Sequence, residues 1–163
     1  MGKGMVIGVI LVVAVVAAAG YYFLVMDNEK TVSADAKELL PDRLNDWGLD
    51  NTEAGPTGSH IRSSIIGNYT ITPPGTKVQI SIVVFTSTSE AKGSHDRNKS
   101  GLEEVTDYDK FDNCFKFKGL KYSNGCQILK SNVVVRIESS NPLGADLDSI
   151  LTDILKKINN NLS

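Results

Sequence analysis

The chain has 163 residues, 41% hydrophobic and 22% charged, with 14 Gly, 5 Pro and 2 Cys. This excludes collagen, low-complexity and disulfide-dense classes and fits one domain with an appendage. Seventeen Lys+Arg against 19 Asp+Glu leave a formal net charge of -2, so the charge balance points to no nucleic-acid partner.

The first 26 residues carry one charged side chain, Lys3. From Met5 to Met26 there are 22 residues without a charge, an Asn, a Gln or a Pro. As a helix this stretch would span ~33 Å, against a hydrocarbon core of ~30 Å. The expectation is a transmembrane helix over residues 5–26 whose partner is the lipid bilayer, preceded by a short cytoplasmic tail, 1–4. Tyr21, Tyr22 and Phe23 suit the lipid–water boundary at its far end. Lys3 before the run and Asp27 and Glu29 after it orient the remainder outside the cytoplasm by the positive-inside rule. Two alternatives use the same residues. Lys3-Gly4 before a long apolar run is similar to the class III signal of archaeal pilins and archaellins, which implies processing after Gly4 and a filament subunit polymerised through that run. Ala17-Ala18-Ala19 before Gly20 suits a signal peptide cleaved after Ala19, releasing a secreted domain.

Residues 27–37 are polar and form a tether to an extracytoplasmic domain, 38–163. Asp35 and Glu38 have capping-box spacing, and Leu40, Leu44 and Trp47 follow at i, i+4 and i+7 as one face of a short helix, with Pro41 near its start. Trp47 is an apolar anchor for a sheet. Residues 49–58 suit a loop. Ile61 to Ile71 and Lys77 to Phe85 suit a hairpin turning at Pro73-Pro74-Gly75. Thr88 opens a weakly amphipathic helix reaching Glu104. Three short strands follow, Phe111 to Phe117, Tyr122 to Leu129 and Val133 to Ile137, with turn signals at Asn124-Gly125 and Ser131-Asn132. Leu147, Ile150, Leu151, Ile154, Leu155 and Ile158 mark a closing helix, with Asp146 and Asp148 at its positive end and Lys156 and Lys157 at the other. The expected class is α+β: the transmembrane helix, then a mostly antiparallel sheet of about five strands covered by two to three helices.

The order of these elements, with Ser89-Glu90-Ala91 opening a helix after a hairpin and Asn132-Val-Val-Val-Arg-Ile137 forming a strand before the last helix, resembles the PsbP/Mog1-like α/β sandwich. The resemblance spans residues 39–160. It implies a surface or lumenal accessory module, or a small binding protein, without chemistry of its own.

Outside the cytoplasm Cys114 and Cys126 would be expected to form a disulfide, closing a loop worth ~3 kcal/mol. A hairpin centred on Leu120 would set them directly opposite each other. Asn68-Tyr-Thr70, Asn98-Lys-Ser100 and Asn161-Leu-Ser163 fit the N-glycosylation pattern. Glu103, Glu104, Asp107, Asp109 and Asp112 suit a solvated acidic surface better than a calcium loop. His60 and His95 lack partners at a meaningful spacing; a hydrolase would require one of them in a cleft beside carboxylates. No catalytic residue, metal site or cofactor is expected. The functional expectation is a membrane-anchored accessory or binding protein with a protein partner at the membrane surface.

Overall fold

Two four-stranded meanders, each followed by a helix, build the part of the chain that the computed structural model describes, residues 30–45, 47–71, 75–118 and 124–163. A one-turn helix α1 (Ala36–Leu39) precedes β1 (Arg43–Leu44), β2 (Trp47–Ala54), β3 (Ile61–Ile71) and β4 (Thr76–Phe85). Helix α2 (Thr88–Gly101) leads to β5 (Thr106–Asp107), β6 (Cys114–Phe117), β7 (Asn124–Lys130) and β8 (Val133–Ser139), and α3 (Ala145–Asn160) closes the domain. The strands form one eight-stranded sheet ordered β1-β2-β3-β4-β8-β7-β6-β5, antiparallel at every pairing.

The expected fold class is therefore corrected. The sheet has eight strands rather than about five, and among the described residues no helix is long and apolar enough to cross a membrane. Residues 1–29, which include the tail 1–4 and the transmembrane expectation over 5–26, lie outside the described residues.

Backbone chemistry and cross-strand pairing account for β2. The expected helix through Trp47 stops after Leu39, because Leu40, crowded by Pro41, is extended at φ -68 and ψ 130. Trp47 then opens β2, which is exposed along most of its length and lacks apolar alternation. Cross-strand partners hold it instead, with Thr52 opposite Gly67 and Ala54 opposite Ile65. Asn124-Gly125 lies inside β7, opposite Ser139 and Glu138 of β8, rather than in a turn. Ser131-Asn132 does turn the chain between Lys130 and Val133, with Ser131 at φ 55.

The sheet is packed on both faces. Val78, Ile80 and Ile82 of β4 and Val133, Val135 and Ile137 of β8 are buried in the main core with the stripe of α3. Val83, Phe85 and Val134 point the other way and form a smaller core with Ala91 of α2. Thr31 onward, expected as tether, belongs to the folded domain. Val32 is fully buried and bridges Leu162, while Thr31 and Ser163 exchange backbone hydrogen bonds of 3.3 and 3.1 Å. Asn132 locks this strap: its Oδ1 accepts from the Val32 amide at 2.7 Å, and its Nδ2 donates to the carbonyls of Val32 (3.2 Å) and Phe85 (2.9 Å).

Candidate functional site: a polarised cleft beside α2

Helix α2 covers only part of its side of the sheet. Ser87 caps it, its Oγ accepting from the Glu90 amide at 3.3 Å. Ala91, with no exposure, seats the helix on Val83 and Val134. Further along, His95 and Asn98 reach down to Gln127 in the middle of β7. The Gln127 amide nitrogen meets His95 Nδ1 at 3.1 Å, and its oxygen accepts from Asn98 Nδ2 at 3.0 Å. With the Gln127 amide nitrogen as donor, Nδ1 accepts and the ring proton sits on Nε2. Burial holds the ring below its ordinary pKa, assisted by Lys99 and opposed by Asp96. Phe115 packs against it at 5.0 Å between centroids.

On the other flank of α2, between the helix and the 56–61 segment, is a cleft of about 430 Å³, within the range of small-molecule sites. Its floor is β4 and β8, both interior strands, and it changes character along its length. The strand register orders its lining: at one end lie Phe85 opposite Ile61 and Val83 opposite Val134, and at the other Ser81 opposite Arg136, which in turn lies opposite Gln127. The helical wall changes in the same direction, through Glu90, Ser94 and Arg97 at i, i+4 and i+7. Glu90 is 3.3 Å from His60 Nδ1. Arg136 is anchored by Glu138, which accepts from its Nε (2.8 Å) and lies 2.6 Å from Nη2. Its guanidinium stacks 4.4 Å from the centroid of Phe117. The Arg97 guanidinium and the Ser81 and Ser94 hydroxyls line the cleft and make no hydrogen bond or ion pair with the described residues.

The structure scatters most residues singled out in the sequence. Cys114 and Cys126 meet as buried thiols, Sγ to Sγ 3.3 Å, against ~2.05 Å for a disulfide bond. The register explains the placement. Cys114 opposes Ile128 and Cys126 opposes Lys116, so the sulfurs meet on a diagonal rather than directly across a hairpin centred on Leu120. Their mutual hydrogen bond, with burial, pushes the Cys126 thiol pKa up. The three glycosylation candidates all use their amide nitrogens. Asn68 donates to Asn51 (2.7 Å) and Glu53 (2.8 Å), Asn98 to Gln127 (3.0 Å), and Asn161 to the Lys157 carbonyl (2.8 Å). The acidic run is partly paired, Asp107 with Lys99 at 2.5 Å and Glu104 with Lys118 at 3.6 Å. Among the described residues no three His, Cys, Asp or Glu side chains gather as metal ligands.

His60 does lie in a cleft beside a carboxylate, yet its Nε2 has no hydrogen-bonded hydroxyl or thiol among the described residues. Sequence reasoning missed Arg97, Arg136, Ser81 and Ser94. A signal for Arg136 was present, an arginine interrupting the apolar run Val133 to Ile137.

With this geometry in hand, comparison with known proteins finds no matching family model, curated protein or solved structure.

Proposed function

We propose that the chain is a membrane-anchored accessory protein whose extracytoplasmic domain binds a small ligand in the cleft beside α2. The observation that carries the reading is the cleft itself, about 430 Å³ over a floor of two interior strands. Both strands are hydrogen-bonded along both edges, and the polar groups around them are positioned by partners of their own: Asn98 by Gln127, and Arg136 by Glu138 and Phe117. A preformed apolar surface with a few fixed polar groups favours binding. The uncharged run of residues 5–26, with Lys3 before it, supports attachment to lipid with the domain outside. The accessory role agrees with what the PsbP/Mog1-like resemblance implies.

The test is a titration of the full chain in lipid nanodiscs with n-octanol, followed by amide chemical shifts. Saturable shifts are expected at Val83, Ser94 and Val134, and Ser94→Trp, which fills the cleft, should abolish them. Octanol and its acid and amine analogues all leaving these amides unmoved would remove the reading.

His60 beside Glu90 favours a second reading, a hydrolase using the imidazole as general base. It requires turnover of a p-nitrophenyl ester that His60→Ala abolishes.

A further inference from the structure

Resting on the binding role just proposed, we infer that the cleft ligand is an aliphatic monocarboxylate, its carboxylate held between Arg97 and Arg136 and its chain lying on Val83, Phe85 and Val134. Three observations converge on this chemistry.

The first is the supply of donors at one end. Arg97 has no ionic partner among the described residues, and the Ser81 and Ser94 hydroxyls make no hydrogen bond to them. Arg136 presents an edge already oriented by Glu138 and Phe117. Glu138 neutralises much of the Arg136 charge, so Arg97 supplies the uncompensated cation. A guanidinium offers planar paired donors that match the two oxygens of a carboxylate.

The second is the gradient. Arg97 lies seven positions after Glu90, about 10 Å of helix rise. Over a comparable stretch, about 13 Å of strand, the floor passes from Phe85 through Val83 to Ser81. One anionic head and one apolar body satisfy both ends. At the Glu90 end the carboxylate already has His60 beside it, and it disfavours a second anionic group there.

The third concerns the backbone. A peptide bound in a groove needs backbone donors and acceptors for its own amides. Here β4 is paired on both edges by β3 and β8, and β8 by β4 and β7. The floor therefore presents side chains, which suits a ligand lacking amides of its own.

The experiment titrates the full chain in nanodiscs with octanoate, octanol, octylammonium and the tripeptide N-acetyl-Leu-Ala-Leu, reading the Ser81, Ser94 and Val134 amides at matched free concentration. Octanoate should bind at least tenfold more tightly than octanol, and octylammonium more weakly than either. Arg97→Ala should weaken octanoate about tenfold and octanol less than twofold, with Arg97→Lys restoring part of the loss. Arg97 is exposed and unpaired among the described residues, so its replacement tests recognition without testing folding. Octanol binding as tightly as octanoate, or Arg97→Ala weakening both equally, would overturn the carboxylate assignment while cleft binding stands. The tripeptide outcompeting octanoate would overturn it in favour of a peptide terminus. None of the probes moving these amides would overturn the binding role as well.

Discussion

Gln127 lies in the centre of β7 with no exposed surface, between an imidazole and an amide from the helix above. Its amide donates to His95 Nδ1, so a proton on that nitrogen would set two donors against each other. The His95 pKa is lowered in the folded state, while the unfolded chain takes up a proton near the ordinary ~6.5. Stability is then complete above that value and declines as the pH falls through it, because the unfolded state binds the proton first. Chemical denaturation between pH 8 and 5 should show this decline, and His95→Gln should flatten it. The paired thiols make a second residue-scale prediction. Cys126 is disfavoured as a thiolate by Cys114 and by burial, and the thiolate is the reactive form. Under reducing conditions at pH 8, iodoacetamide should label native protein far more slowly than free cysteine and reach two modifications only after denaturation.

Each meander of the sheet ends in a central strand and delivers a helix to a different face: β4 gives α2, and β8 gives α3. The two helices differ in what holds them. The stripe on α3 buries Ile150, Leu151, Ile154 and Ile158, whereas α2 buries only Ala91 and His95. Removing the α2 cap should therefore matter, and Ser87→Ala is expected to cost about 1 kcal/mol in denaturant unfolding. Some glycines in the strands make room for neighbouring side chains. A Cβ on Gly67 would meet both Leu40 methyls at 2.9 Å, and one on Gly125 would collide with the Phe117 ring. Gly125→Ala should destabilise by about 1–3 kcal/mol and, by displacing Phe117, also loosen Arg136, weakening octanoate binding more than octanol binding.

Across the whole molecule, the strap from Thr31 to Ala36 ties the start of the folded domain to its C-terminal residues and to the β7–β8 turn. Asn132 makes three hydrogen bonds to buried backbone there. Asn132→Ala would leave those groups unpaired and is expected to cost 3 kcal/mol or about that, read as a fall in the denaturant midpoint. The open length of β2 carries Asp50, Asn51 and Glu53 beside a register shift, both of which discourage edge-to-edge pairing with another sheet.

How much of this was legible in the sequence depended on whether the signal was local. The periodicity of 147–158, the alternation of Val78, Ile80 and Ile82 and the serines before Glu90 announce α3, β4 and the start of α2, because each element's apolar spacing or cap is its own. Residues 47–54 do not alternate, and they are a strand only because β3 provides a paired edge. Asn124-Gly125 carries a local turn preference that pairing with β8 and the room Gly125 leaves for Phe117 override. The cleft lay beyond sequence reasoning for a related reason. Arg97 and Ser94 belong to one helix, Ser81 and Arg136 to two strands distant in sequence, and His60 to a loop. Local composition by itself determined that this is an α+β chain opening with a long uncharged run, since propensity and periodicity act over a few residues. Only the tertiary structure decided the eight-strand width, the diagonal meeting of the two thiols and the polarity of the cleft, since each depends on which distant strand lies alongside and in what register.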